Sequence, residues 1–160
     1  MKIKTFAFTV VIAAGLPVVA FAQQLPDPVY QAVLLALEDE YHAEAVYAAT
    51  LEKFGGARPF SNIIKAERVH QNALHQILND NGLSYEESPY LSGEKSIGEL
   101  PDTIKEICAI GVGAEIENAR LYDEDLLPVV VDYPEITRVF VNLRDASIDK
   151  HLPAFERCAL

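Results

Sequence analysis

Acidic and imidazole side chains recur in this sequence at spacings that suit metal coordination. Glu67 and His70 stand three residues apart, which places both on one face of a helix. Glu40, Glu115 and His151 add two further carboxylates and one further imidazole. Carboxylate and imidazole ligands together suit iron, manganese or zinc. These residue types therefore indicate the binding of one or two metal ions.

All five residues interrupt stripes of apolar residues. Glu40, for example, falls between Leu37 and Tyr41, in a run whose apolar residues recur every three or four positions. Such positions face the core of a helical protein, where an unpaired carboxylate costs several kcal/mol or stays protonated. Three buried carboxylates therefore need a cation. The other interpretation is that hydrogen bonds, or the guanidinium of Arg144, satisfy the acids.

Four segments carry this helical periodicity, and none shows the alternation typical of a strand. The expected helices cover roughly residues 27–54, 59–81, 102–127 and 134 onward. Asp102 is the expected N-cap of the third helix, and Pro128 is expected to break it. Residues 83–101 are rich in glycine, proline and serine, and a connection of this length suits a crossover. The predicted fold is an all-α four-helix bundle, in which a long crossover joins two antiparallel hairpins.

Distances along the chain place the five polar residues at matched depths. Two helices joined by a tight turn bring residues that are equally far from the turn to the same height. Glu40 lies fifteen residues before Gly55, and His70 lies fifteen residues after it. Glu115 and His151 are each eighteen residues from the break before the fourth helix. Each hairpin is therefore expected to present one glutamate and one histidine at the same level.

The same counting applies to the two cysteines. Cys108 and Cys158 are each twenty-five residues from Tyr133, so they should face each other across the third and fourth helices. We expect a disulfide between them, and two buried free thiols are the alternative. The sequence has no Cys-x-x-Cys, which argues against a thioredoxin-type redox role.

The first residues predict export. Lys2 and Lys4 precede an apolar run that ends in Ala20-Phe21-Ala22, the pattern of a secretory signal peptide over residues 1–22. The run is shorter than the roughly 20 residues of a retained membrane anchor, which is the other interpretation. The bundle would then occupy residues 23–160 in the periplasm or outside the cell. A net charge of −11 argues against nucleic acid as a partner.

Three stretches resemble the ferritin-like superfamily, and rubrerythrins most: residues 40–47, 67–70 and 115–122. In that family a glutamate is followed by alanine three residues later and tyrosine seven residues later, with a Glu-x-x-His on the next helix. The residues that match this pattern are Glu40, Ala43, Tyr47, Glu67 and His70. Residues 28–158 are also similar to a little-characterised bacterial family of exported domains within the superfamily, over residues 58–64, 146–147, 151–152 and 154–155. The resemblance implies a ferritin-like bundle with a carboxylate and histidine iron site.

The sequence departs from that pattern in its second half. A complete di-iron site would carry another Glu-x-x-His, but His151 is preceded at that spacing by Ile148, and Ser147 cannot replace a carboxylate. Arg144 is expected near the level of Tyr122, where it would pair with Glu115 in place of a cation. The first half of the site is therefore the better supported.

Several neighbouring residues have two interpretations. Glu44 lies one turn beyond Glu40 on the same face and is either an extra ligand or a hydrogen-bonded acid. Tyr47 and Tyr122 either contact the metal ligands or simply pack in the core. His42 and His75 lie off the apolar stripes and are expected at the surface.

Three kinds of function remain open. The first is a metal-dependent oxidoreductase that reacts with oxygen or peroxide, although the chain has too few cysteines for a rubredoxin iron centre. The second is a metal-binding or storage protein without turnover. The third is a metal-free helical interaction module in which Arg144 satisfies the acids. The sequence leaves the formation of a homo-oligomer open.

Overall fold

The computed structural model describes residues 25–160, and their regular structure consists of four helices without a strand. Helix α1 spans Asp27–Phe54 and helix α2 spans Phe60–Asp80. Helix α3 changes winding along its length, from α over Ile104–Arg120 to π over Leu121–Leu126 and back to α over Leu127–Val130. Helix α4 does the same, with α over Pro134–Ala146, π over Ser147–His151 and α over Leu152–Ala159.

The all-α prediction is confirmed for residues 25–160, and so is the long irregular connection between α2 and α3. The predicted signal peptide lies outside the described residues. None of the helices in this part of the chain is long and apolar enough to cross a membrane.

Two predicted boundaries of α3 are wrong. Its N-cap is Thr103 rather than Asp102, because the Thr103 hydroxyl accepts a hydrogen bond from the Glu106 amide at 3.2 Å. Pro128 does not break the helix, because it stands in the first turn of Leu127–Val130. The π turn directly before Pro128 spaces hydrogen bonds five residues apart, as from the Leu127 amide to the Tyr122 carbonyl, and so already interrupts the α-helical pattern that a proline would disrupt.

The apolar core forms two clusters, one towards each end of the helices. One cluster contains Leu37 of α1, Leu74 of α2, Tyr122 of α3 and Leu143 of α4. The other contains a set of residues from the same four helices: Tyr47, Ile64, Cys108 and Phe155. Every helix therefore passes from one apolar cluster to the other, and the polar residues that interrupt the apolar stripes lie between them.

The helices pack in two pairs. Helix α1 lies along α2, and the Ile104–Arg120 part of α3 lies along the Leu152–Ala159 part of α4. The predicted disulfide between Cys108 and Cys158 is present and joins the second pair, with the two Cα atoms 5.7 Å apart. The fold thus holds α3 and the end of α4 together covalently, next to the polar layer.

Candidate metal centre

The first group of candidate ligands comes from α1 and α2. Nδ1 of His70 lies 3.1 Å from Oε2 of Glu40 and 3.1 Å from Oε2 of Glu67. Both glutamates are buried, with 4% and 3% of their surface exposed, and only 13% of the His70 side chain is exposed. The predicted equal depth of Glu40 and His70 thus corresponds to direct contact.

The second group joins α2 to α3 and α4. Nδ1 of His151 lies 3.4 Å from Oε1 of Glu67 and 3.5 Å from Oε1 of Glu115. All three side chains are buried. Glu67 therefore belongs to both groups, and its two oxygens face different histidines. The imidazole rings of His70 and His151 stack with their centroids 5.8 Å apart.

The donor atoms of each group fit around one ion with little movement. Within each group the donor atoms lie within 4.8 Å of one another. Imidazole and carboxylate ligands of an ion such as zinc bind at about 2.0–2.2 Å, so two ligands on opposite sides are about 4.2 Å apart. Three ionised carboxylates carry more negative charge than one divalent cation offsets and less than two offset, so either number of ions would reduce the net charge of the site. The five predicted ligands thus form two adjoining groups that are able to hold an ion each.

Protons and hydrogen bonds balance part of this charge. Burial raises the pKa of Glu67 to about 8. Burial by itself would lower the pKa of His70, but the hydrogen bonds to Glu40 and Glu67 outweigh it and raise the pKa to about 10. A protonated His70 is therefore the internal cation of the first group when no metal ion competes for the carboxylates.

Two tyrosines donate hydrogen bonds to the candidate ligands. The hydroxyl of Tyr47 donates to Oε1 of Glu115 at 3.1 Å, and that of Tyr122 donates to Oε1 of Glu40 at 3.5 Å. Burial raises the pKa of both phenols well above the usual value, so both remain protonated donors. Hydrogen bonds of this kind orient ligating carboxylates. The structure thus places Tyr47 and Tyr122 in contact with the site.

The prediction for Arg144 is wrong. Its guanidinium donates to Oδ1 of Asp123 at 2.7 Å and to Oδ1 of Asp145 at 2.8 Å, and it makes no ion pair with Glu115. Both aspartates are about half exposed, so Arg144 finds partners at the surface and avoids the cost of burying its charge. Arg144 therefore does not neutralise the buried glutamates of the two ligand groups.

Glu44 is a hydrogen-bonded acid in this structure. Nε of Arg68 donates to its Oε1 at 2.6 Å, and Nε2 of Gln71 donates to its Oε2 at 2.8 Å. Both carboxylate oxygens are thereby occupied. Glu44 is buried on the same helix as Glu40 but lies outside both ligand groups.

The prediction that His42 and His75 are surface residues is also wrong, because both are half-buried. The ring of His42 lies 4.9 Å from that of Tyr90, and the ring of His75 stacks on Tyr85 at 4.3 Å. Both tyrosines belong to the irregular connection between α2 and α3. Apolar periodicity describes the helices alone and cannot show where such a connection covers them.

The π turn of α4 changes which residue accompanies His151. A π turn contains one more residue than an α turn. Ser147, four residues before His151, is buried with 5% of its surface exposed, whereas Ile148 is 40% exposed. Ser147 therefore faces the interior beside His151, where a complete di-iron site of the ferritin-like pattern would carry its fourth carboxylate.

Ser147 belongs to a polar chain that the sequence analysis did not identify. Its hydroxyl donates to Oδ1 of Asn118 at 2.7 Å, and the amide of Asn118 donates to Asp39. Burial raises the pKa of Asp39. Asn118 stands one turn after Glu115, and that spacing is the signal that could have identified it. Asp39 lies beside the apolar stripe of α1 and gives no comparable signal.

A cavity of about 120 Å³ opens beside the second group. Glu67, Glu115 and His151 all line it, whereas His70 does not. Its remaining walls are mostly apolar and come largely from α1, α2 and α3: Ala43, Val46, Phe60, Ile107, Ile110, Gly111 and Ala114. The second group is therefore accessible to a small molecule, and Ser147, Asn118 and Asp39 form the polar side of the approach.

Comparisons of the chain with protein-family models, with curated proteins and with solved structures found no match.

Proposed function

We propose that this protein binds one or two transition-metal ions, iron foremost, and reacts them with oxygen or peroxide. The ligands are the five residues of the two groups: Glu40, Glu67, His70, Glu115 and His151. The helices would form a ferritin-like bundle, in which the connection between α2 and α3 crosses over between two antiparallel hairpins. The signal-like N-terminus, together with the disulfide, supports export to an oxidising compartment.

The position of Glu67 carries this proposal. One of its oxygens faces Glu40 and His70, and the other faces Glu115 and His151. A carboxylate that presents one oxygen to each of two ligand groups is suited to bridge two ions. Burial also raises the pKa of Glu67 to about 8, so the interior tolerates the charge of this carboxylate poorly without a cation.

The type of ligand favours iron or manganese over copper. Three of the five side chains are hard carboxylates, and neither cysteine is free to ligate. A bound redox ion with open positions would supply electron exchange with a small oxidant. The protein's own contribution is the mostly apolar cavity beside the second group, whose volume of about 120 Å³ limits the size of that oxidant.

Tyr47 and Tyr122 would fix the ligand carboxylates during such a reaction. Tyr122 donates to Oε1 of Glu40, whose Oε2 contacts His70, and Tyr47 donates to Oε1 of Glu115, the oxygen that also faces His151. These contacts hold Glu115 and Glu40 in a single orientation before an ion enters, which lowers the conformational cost of binding.

A second candidate is a metal-free bundle, and one observation favours it. His70 already lies within hydrogen-bonding distance of both Glu40 and Glu67, so its proton is able to balance part of their charge. This interpretation replaces the one based on Arg144. It predicts that added metal changes neither the stability nor the spectrum of the protein.

Metal analysis decides between the two. Protein purified from iron-supplemented cells, and protein reconstituted anaerobically with Fe²⁺, is compared with the variants Glu67→Gln and Glu44→Gln. Glu44 is the matched control because it is a buried glutamate outside both groups. We expect metal in the wild type and in Glu44→Gln, and its loss in Glu67→Gln. Wild-type protein without metal after both treatments would eliminate the proposal.

Redox activity needs a separate measurement. Iron-loaded protein is mixed with oxygen or hydrogen peroxide, and the ultraviolet and visible absorption of ferric iron is followed. We expect oxidation that is faster than that of free Fe²⁺ under the same conditions. Bound iron that stays ferrous would leave a metal-binding protein without turnover.

A further inference from the structure

The disulfide and the second ligand group connect the same two helical segments. Cys108 lies seven residues before Glu115, and Cys158 lies seven residues after His151. Seven residues correspond to about two helical turns, or about 10 Å along the axis. The disulfide therefore fixes the distance between α3 and α4 at a point two helical turns from Glu115 and His151, the two ligands that these helices supply.

The last segment of α4 is held in place by its packing on α3 and in the apolar cluster of Tyr47 and Phe155, as well as by the disulfide. Leu152–Ala159 has eight residues, which is too short for a helix that is stable by itself. Phe155 packs against Gly111, and Lys105 donates a hydrogen bond to the C-terminal residue at the surface. His151 stands directly before this segment, as the last residue of a π turn, a winding that is rare in proteins.

The first group depends on none of these contacts. Glu40 lies on α1, and Glu67 and His70 lie on α2, so all of its ligands come from the other helix pair. A change in the relative position of α3 and α4 would therefore move ligands of the second group directly, and would reach the first group only through the Tyr122 hydrogen bond to Glu40 and the shared Glu67.

We propose that the Cys108–Cys158 disulfide positions Glu115 and His151, so that its reduction weakens ion binding by the second group and leaves the first group unchanged. The two cysteines are positioning residues and do not touch the ion. The inference rests on the proposed function and adds a means of regulation to it. Whether Cys108 and Cys158 are oxidised to the disulfide or reduced to thiols would decide whether the protein holds two ions or one.

The reduction is a two-electron exchange with a dithiol. One thiolate of the reductant attacks Sγ of Cys158, which is partly exposed, whereas Cys108 is completely buried. The disulfide bond breaks, Cys108 leaves as a thiolate and takes up a proton, and the second thiol of the reductant then displaces Cys158. Both cysteines end as thiols, and the dithiol ends as a disulfide.

The test measures Co²⁺ binding, with calorimetry for stoichiometry and visible absorption for the ligand environment. Protein with the disulfide intact is compared with the double variant Cys108→Ala plus Cys158→Ala. His70→Ala, with its disulfide intact, is the control that weakens the first group. We expect two ions per wild-type chain, and a second binding step at least tenfold weaker in the double variant. The first step should stay within about twofold of wild type.

A second comparison covers the case in which the double variant does not fold. Cobalt-loaded wild type is treated with a phosphine reductant under anaerobic conditions, and the released Co²⁺ is measured. Release of one ion per chain supports the inference. Retention of both ions after complete reduction, or equal second-step affinities in the folded double variant, would overturn it while leaving the proposed function intact. Wild type that binds no Co²⁺ in either experiment would overturn both.

Discussion

Nδ1 of His151 lies 3.4 Å from Oε1 of Glu67, although the two residues are more than eighty positions apart in the chain. The contact joins the helix pair α1 and α2 to the pair α3 and α4 through two buried polar groups. Because Glu67 also contacts His70 through its other oxygen, changes at Glu67 should have wider effects than changes at its neighbours.

Replacing Glu67 should weaken both ion positions, whereas replacing Glu115 should weaken one. We expect Glu67→Gln to reduce affinity at both steps of a metal titration, and Glu115→Gln at a single step, by roughly tenfold or more each. Isothermal titration with Fe²⁺ or Mn²⁺ under anaerobic conditions measures both steps. Equal effects of the two variants would contradict a bridging position for Glu67.

Removing the hydroxyl of Tyr47 should weaken binding by the second group. Its hydrogen bond orients the Glu115 carboxylate, and the loss of such a partner typically costs about 10–100-fold in metal affinity. Tyr47→Phe should also lower the unfolding free energy by about 1 kcal/mol. Denaturant unfolding and metal titration measure the two effects. An unchanged affinity in Tyr47→Phe would show that the phenol only packs.

The stability of the metal-free protein should fall as the pH rises from about 6.5 to about 10. The pKa of His70 is 6.5 in a model compound and about 10 in the folded protein, so folding favours the protonated form. The resulting stabilisation is complete below the unfolded pKa and disappears as the pH passes the folded one. Burial raises the pKa of Glu67 as well, which acts in the same direction.

Urea unfolding at several pH values, with chelator present, measures this dependence. The His70→Ala variant should show a smaller decrease between pH 6.5 and 10, because one of the two shifted groups is gone. A wild-type stability that rises over this interval would contradict the charge balance described for the first group.

Alanine at position 111 should destabilise the protein, whereas alanine at position 113 should not. A Cβ atom on Gly111 would lie 2.8 Å from Cδ1 of Phe155, so the buried ring would have to move, at a cost of about 1–3 kcal/mol. A Cβ atom on Gly113 meets nothing within 4 Å, and Gly→Ala inside a helix gains about 0.5–1 kcal/mol. Thermal unfolding of the two variants should therefore give opposite shifts.

Arg144→Ala should leave metal binding unchanged. The guanidinium pairs with two partly exposed aspartates, and such surface pairs contribute about 0–1 kcal/mol. Metal titration and thermal unfolding of this variant test whether Arg144 acts only at the surface. A large change in affinity would return Arg144 to the list of residues that act on the site.

Sequence periodicity predicted the helices within residues 25–160 and placed the five candidate ligands on their inner faces. Glu40, Glu67 and His151 interrupt apolar stripes, and such an interruption remains visible without any coordinates. The equal number of residues from Tyr133 to Cys108 and to Cys158 also predicted that the two cysteines meet. This prediction worked because the rise per residue is nearly constant in helices.

The sequence did not reveal the contributions that depend on winding or on tertiary partners. The sequence did not predict the π turns, and the one over Ser147–His151 leaves Ile148, three residues before His151, exposed while Ser147 is buried. Arg144 was assigned to Glu115 because a pairing between surface residues on different helices, here with Asp123, leaves no periodic signal. Asp39 was missed for the same reason, since only its contact with Asn118 identifies it.

The polar layer divides the apolar core into two smaller halves, and under the proposed function this arrangement would link the protein's abundance to the supply of its ion. The carboxylates of Glu40, Glu67 and Glu115 repel one another in the polar layer and so weaken the packing of the two halves, and a bound ion would offset that repulsion. The free energy of ion uptake then adds to the free energy of unfolding. A cell short of the ion would contain more unfolded chains, and proteolysis would remove them.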